Sequence, residues 1–511
     1  MSALAPSALV AVVGAGTMGA GIAQIAARAG HDVLIFDAKP GAAEKGRSGI
    51  LAALSKQVAK GRLSEQQYAE MATRLRVASV FAALKDAALV VEAVVEDLEV
   101  KKGLFRELEG IVGDDAILAT NTSALSVTAI CAGLKRPGRV AGLHFFNPVP
   151  LMALVEVVAG LASECGTLET LFDTATAWGK MPVHAKSTPG FIVNRVARPF
   201  YAEGLRLLEE GAADVPTIDA IMREAGGFRM GPFELMDLIG HDVNFAVTSS
   251  TFQAYFNDPR YRPAHTQQDL VAAGWLGRKS GRGFYDYADG AVHPEPNTRA
   301  VCRAPRRVEV SGPLGPAESL VPALVQAGIE VERRNSDGEG RILMEGATLA
   351  LTDGRTATAR VAAGGPDDLV LFDLALDYAK ASRIALAPAD QAAPGAADAA
   401  ASLFQALGKA VSVVDDAPGL IVMRTLAMLA NEAAEASLQG VATPSDIDRA
   451  MMLGVNYPAG PLAWADLVGT TRILRVLQAL QDVYGDDRYR ASSLLRRCVA
   501  GGRSVCCHVR Q

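Results

Sequence analysis

Along the first 190 residues, short unbroken apolar runs alternate with stretches of helical spacing. A strand is predicted over 9–13, a helix over about 18–28 that Gly30 stops, and a second strand over 33–36 ending at Asp37. Another helical stretch covers 45–60, and further strands are predicted over 87–92, 116–120 and 140–146. Valines surround Glu156 in 154–158, which also reads as a strand. Strands alternating with helices of this length predict a parallel, doubly wound sheet. From Thr188-Pro189-Gly190 to about residue 260 the pattern turns helical.

The chain then repeats itself. An offset of 229 residues carries Pro189-Gly190 onto Pro418-Gly419 and Glu203 onto Glu432. The same offset pairs Asp219 with Asp448, Gly231-Pro232 with Gly460-Pro461, and Asp237 with Asp466. The helical domain therefore occurs twice. Between the copies lies a weaker α/β pattern, with strands over 307–310, 329–332 and 369–373 and a helix over 317–326. It lacks a G-x-G-x-x-G turn, and Pro313 would remove a backbone donor there, so no nucleotide is expected to bind it. The fold class is thus α/β plus all-α. A Rossmann-type domain (1–187) precedes a first helical copy (188–289), a reduced Rossmann-like domain (290–416) and a second helical copy (417–511).

Composition narrows the function. The net charge of −6 argues against a general nucleic-acid or anionic-membrane binder. Six cysteines in 511 residues form neither a disulfide framework nor a zinc spacing, and Cys506-Cys507 is too tight for an ordinary disulfide, so no metal is expected. With no apolar run of membrane-spanning length and no signal peptide, a reduced, cytoplasmic protein is the expectation.

The first strand runs into Gly14-Ala15-Gly16-Thr17-Met18-Gly19, which opens the first helix. Gly14 permits the tight turn, Gly16 lets backbone approach a pyrophosphate, and Gly19 allows close helix–strand packing. With Asp37 placed for the ribose hydroxyls, this context points to NAD rather than NADP, a preference that Lys39 weakens. His144 and Glu156 flank the turn 147–150 and can face each other as an acid–base dyad. From the spacing alone the pair reads equally as structural. Asn121-Thr122-Ser123 follows a strand at the sheet's carboxyl edge, as a ligand site or as a helix cap. Of Glu92 and Glu96, one is expected to contact ligand and the other to solvate a loop. Asn194 has Met423 as its repeat counterpart, so the second copy is not expected to be an independent site. Two copies in one chain can mimic a dimer.

Taken together, these motifs resemble the L-3-hydroxyacyl-CoA dehydrogenase family over about residues 8–287, including 91–96, 144–148, 188–195, 231–234 and the closing Gly281-Arg282-Gly283-Phe284-Tyr285. The resemblance implies NAD-dependent oxidation of an L-3-hydroxyacyl-CoA. His144 would act as base, Glu156 as its orienter, Ser123 as partner of the reacting oxygen and Asn194 as a substrate-orienting group. It also implies cofactor contacts from Gly14, Gly16, Thr17, Met18, Gly19, Asp37, Glu96, Lys101, Asn147 and Lys279, and CoA contacts from Ser123, Asn194 and Lys60. The family's second CoA-contacting serine is Ala53 here. The long layout resembles a bacterial subgroup acting on 3-hydroxyadipyl-CoA in phenylacetate catabolism, with 3-hydroxybutyryl-CoA as the alternative substrate. A homodimer is the family expectation. Two further alternatives are a dehydrogenase of free hydroxy acids and an NAD-binding sensor on a retired enzyme fold. The tail 501–511 lacks the family's glycine-aromatic closing motif and reads as a frayed end.

Overall fold

The computed structural model describes residues 2–506. Cys507 and the rest of the tail therefore lie outside the described residues. The chain forms two units, one from the chain up to Arg195 together with Gln439–Val455, the other from Val196–Leu438 with the segment from Asn456 onward.

The first unit holds one eight-stranded sheet: β1 (Val10–Val13), β2 (Val33–Phe36), β3 (Leu75–Val77), β4 (Leu89–Glu92), β5 (Ile117–Thr120), β6 (Val140–Phe145), β7 (Leu154–Ala159) and β8 (Met181–Lys186). Their order is β3-β2-β1-β4-β5-β6-β7-β8. The first six strands are parallel, as a doubly wound sheet requires. β7 departs from that pattern and runs antiparallel to β6. The connection 146–153 is too short for the crossover a parallel return would need. The strand folds straight back, and its register sets His144 directly opposite Glu156. β1 is buried at every position because the helix Thr17–Arg28 lays its apolar face on the sheet. Val10, Val12, Ile22, Ala26, Leu89 and Val91 share that core.

The helix Pro444–Gly454, which the repeat assigns to the second helical copy, belongs to this first unit and packs on β7 and β8. Gly454 is required there, since an added Cβ would stand 2.7 Å from Leu154 Cδ2.

The second unit contains a mixed seven-stranded sheet: β9 (Arg307–Ser311), β10 (Glu330–Arg334), β11 (Arg341–Met344), β12 (Ala347–Leu351), β13 (Leu369–Phe372), β14 (Arg383–Pro388) and β15 (Ala410–Val413). The order is β10-β9-β11-β12-β13-β14-β15. In place of a second helical crossover, β11 and β12 form a hairpin between β9 and β13.

Around this sheet the two helical copies pair reciprocally. The helix Arg198–Glu209 packs on Val422–Leu438. Glu203 accepts from Arg424 Nε at 2.7 Å and from the Tyr489 hydroxyl at 3.0 Å. Its repeat counterpart Glu432 accepts from the Tyr261 hydroxyl at 2.6 Å and from Arg260 at 3.4 Å. Each copy's buried glutamate is thus held by the other copy, the pattern of an isologous dimer interface inside one chain.

The tail, up to Cys506, is not frayed. Asp466 accepts from the N–H groups of Val505 and Cys506 at 3.0 and 3.1 Å. In the first copy Asp237 accepts from Phe284 and Tyr285, both at 2.9 Å. The two closures are equivalent although only the first carries the glycine-aromatic sequence. The aspartate recognises backbone N–H groups, which any side chain leaves available.

Candidate active site

The glycine turn has the geometry its sequence predicts. Gly14 has φ +102°, and an added Cβ would lie 2.5 Å from the Ala93 carbonyl oxygen. A Cβ on Gly19 would collide with the Gly14 carbonyl at 1.8 Å. A Cβ on Gly16 would meet nothing, so that glycine keeps an approach to the backbone clear rather than filling a packing gap. Asp37 directly follows β2 and is fixed in place, accepting from Ala15 N at 2.8 Å and Lys39 N at 2.9 Å. Gly16, Thr17, Asp37, Lys39, Lys45 and Asn147 line a cavity of about 870 Å³. An open glycine at a helix N-terminus beside a fixed carboxylate fits the pyrophosphate and ribose of NAD. Met18 is partly buried against the core. Ala53 also lines the cavity, whereas Lys60, about two helical turns further on, is exposed and is not part of its lining.

At the sheet's carboxyl edge, His144 Nδ1 lies 2.6 Å from Glu156 Oε2. Glu156 is fully buried, and its other oxygen accepts from Ile192 N at 3.0 Å and Val193 N at 3.1 Å. The carboxylate is immobilised, and its bond to Nδ1 sets the imidazole tautomer so that Nε2 is the basic nitrogen. A second histidine–carboxylate pair, His241 with Asp237 at 2.7 Å, shows what a structural pair looks like here. Both of its members are 0% exposed and Asp237 is occupied by the closing segment, whereas the His144 side chain keeps 7% exposure.

Ser123 lies beside Glu96, whose Oε1 accepts from the Thr122 hydroxyl (2.6 Å), Ser123 N (2.9 Å) and the Ser123 hydroxyl (3.3 Å). Burial works to raise the Glu96 pKa, but the Thr122 hydroxyl, Lys101 and Ser123 N–H outweigh it and hold the carboxyl below its ordinary range. Asn194 Nδ2 donates to the Ser123 carbonyl at 3.4 Å.

Behind this edge lies a buried ionic network. Lys101, expected near the cofactor, is 1% exposed, and its ammonium lies 2.5 Å from Glu92 and 3.3 Å from Glu96. In that position it braces Glu96. Glu92 does not solvate a loop: it is fully buried and accepts from Lys101, the Thr120 hydroxyl and Val94 N. The sign was present in the sequence, since a carboxylate inside a strand of valines demands a buried partner. Lys279 lies in the second unit, where its ammonium is paired with Asp242. Asn121, read only as part of a polar edge, accepts from Phe145 N at 2.9 Å and ties β6 beside β5.

A dinucleotide turn where the strand order reverses, together with a clamped histidine–carboxylate pair at the same sheet edge, defines an NAD-dependent oxidoreductase. The description "3-hydroxyacyl-CoA dehydrogenase, NAD binding domain" matches residues 9–188, and the corresponding C-terminal domain matches 190–287 and again 419–505. A "3-hydroxybutyryl-CoA dehydrogenase reduced Rossmann-fold domain" matches 349–418. The chain is 45% identical to the 3-hydroxyadipyl-CoA dehydrogenase of Escherichia coli K12 over 96% of each chain. It is 42% identical to human mitochondrial hydroxyacyl-coenzyme A dehydrogenase over 54% of this chain and 90% of that one. A crystal structure of 3-hydroxybutyryl-CoA dehydrogenase from E. coli K12 superposes with a TM-score of 0.88 at 43% identity, covering 97% of this chain and 98% of that one. The chain belongs to the 3-hydroxyacyl-CoA dehydrogenase family. Among the described residues no helix is long and apolar enough to cross a membrane.

Proposed function

We propose that the chain interconverts 3-hydroxyadipyl-CoA and 3-oxoadipyl-CoA, within phenylacetate catabolism in the cytoplasm. The observation that carries the chemistry is the His144–Glu156 pair at 2.6 Å with its glutamate clamped by Ile192 and Val193. Bound NAD supplies the hydride acceptor. His144 Nε2 takes the proton of the 3-hydroxyl, and Glu156 stabilises the imidazolium that results. The Ser123 hydroxyl, steadied by Glu96, hydrogen-bonds the reacting oxygen, and Asn194 orients the acyl chain. The glycine turn, Thr17, Asp37 and Asn147 hold the cofactor, with Glu96 beside them. Lys60 meets the CoA phosphates beyond the end of the helix that carries Ala53.

The dicarboxylic substrate is supported by the full-length likeness to the E. coli enzyme of that name. Full-length likeness to a structure of a 3-hydroxybutyryl-CoA dehydrogenase supports the alternative, a short-chain substrate. NADH oxidation with 3-oxoadipyl-CoA and with acetoacetyl-CoA decides between them. Higher kcat/KM for the dicarboxylic thioester is the expected result. Preference for acetoacetyl-CoA moves the assignment to the short-chain reading, and inactivity with both ends the catalytic reading. A homodimer is the assembly we propose, and light scattering of the purified chain tests it.

A further inference from the structure

The helical unit encloses a second cavity, of about 290 Å³, apart from the glycine turn and the His144 pair. Arginines dominate its wall: Arg198, Arg206, Arg260, Arg262 and Arg488, with Glu209 as the carboxylate among the lining residues. Arg198, Arg260 and Arg488 are each only 6% exposed. Buried guanidinium groups ordinarily pair with carboxylates, because leaving one desolvated and unpaired is costly.

Arg488 departs from that rule. Among the described residues its side chain makes no hydrogen bond or ion pair, and its Nε is buried without a partner. Burial lowers its pKa, and the nearby charges of Glu203 and Asp486 do not restore it. Glu203 Oε2 accepts from Arg424 and Tyr489 while its Oε1, like Arg488 Nε, is buried without a hydrogen-bond partner, and Asp486 lies 3.7 Å from Arg206 and 3.6 Å from Arg262. The repeat makes the omission informative. Asp486-Asp487-Arg488-Tyr489-Arg490 matches Asp258-Pro259-Arg260-Tyr261-Arg262 of the first copy. There, Arg260 Nε is likewise buried without a partner, but its terminal nitrogens are used: Nη1 is paired with Glu432 and Nη2 donates to the Arg490 carbonyl at 2.6 Å. The cationic wall is itself one-sided. Arg198, Tyr201 and Arg206 have Ala427, Ala430 and Glu435 as counterparts in the second copy. Maintaining the fold symmetrically would not need cations on one copy alone.

We propose that this cavity binds a small oxyanion, a phosphate or carboxylate group held by Arg488 and Arg262 with Arg206 and His265 beside them. Guanidinium donors match the planar spacing of such oxygens. With about 30 Å³ for each water, the volume takes a phosphate or short dicarboxylate with its hydrating water.

The test is calorimetric titration of the full chain, saturated with NAD to fill the dinucleotide site. Inorganic phosphate and, separately, succinate are the probes, with chloride at equal ionic strength as control. The expected result is saturable binding of at least one oxyanion, weakened by about 10- to 100-fold in Arg488→Gln, the loss of a hydrogen bond to a charged group. Phosphate binding alone assigns a phosphate site, and succinate binding alone a carboxylate site. Arg262→Gln, whose arginine side chain is 54% exposed, is the second variant and is expected to weaken binding without disturbing the fold. NADH oxidation at saturating substrate should be unchanged in both. No saturable heat with either probe, or equal affinity in wild type and Arg262→Gln, overturns the proposal.

Discussion

At the scale of single residues, the site is a set of carboxylates each given a defined partner. Glu156 is clamped by two N–H groups, so its third bond, to His144, has one geometry. His144→Gln should lower kcat by at least about 100-fold, the range expected of a lost general base. NAD affinity should change little, and equal losses in both would assign His144 a structural role. Lys101→Met leaves Glu92 and its charge buried without the ammonium. It should destabilise the fold by about 3–5 kcal/mol, measured by denaturant unfolding. Asp373 follows β13 and accepts from Ile421, Val422 and Met423, as Glu156 does from Ile192 and Val193. Burial outweighs those N–H bonds and raises its pKa to about 6. Its unfolded value is about 3.9. The folded state therefore holds the proton more tightly, so this group's contribution is full below about pH 4 and is lost as pH rises to about 6. In Asp373→Asn that part of the Tm-versus-pH slope should disappear, and an unchanged slope would sink the assignment.

Elements were legible wherever hydrophobic period and turn chemistry agreed. The helix Thr17–Arg28 and the strands β1, β2, β4, β5 and β6 lie within a few residues of their predicted positions. The three residues of β3 are too few to show a period, and β8 reads as mixed polar sequence because Met181, His184 and Lys186 face outward. The hairpin β11–β12 was missed for a different reason. It replaces a helical crossover, and in a domain read by analogy with a doubly wound fold nothing announces that replacement. The closing segment teaches the same lesson in reverse, since Asp466 captures two backbone N–H groups from a sequence with no family motif. Asp466→Ala should strand those groups and cost about 1–3 kcal/mol, read as a lower Tm with kcat preserved.

On the scale of the whole molecule, duplication turns an intermolecular interface into an intramolecular one. Glu203 and Glu432 occupy equivalent places and are held by the opposite copy's tyrosine and arginine. A fragment ending at residue 287 would lose Arg424 and Tyr489 from Glu203, yet it retains Tyr261 and Arg260. It should self-associate through that face, and a well-folded monomer by light scattering would contradict the reading. The sequence alone determined the dinucleotide turn and the two-fold repeat and offered His144 and Glu156 as a candidate pair, because each rests on local backbone chemistry or on spacing along the chain. Only the tertiary structure decided that Lys101 is buried behind Glu96, that the helix Pro444–Gly454 joins the first sheet, and that Arg488 was left facing a cavity. The last two outcomes depend on which groups meet across hundreds of residues, and in every case a charged side chain carries no mark in the sequence of whether its partner is another side chain, water or a ligand.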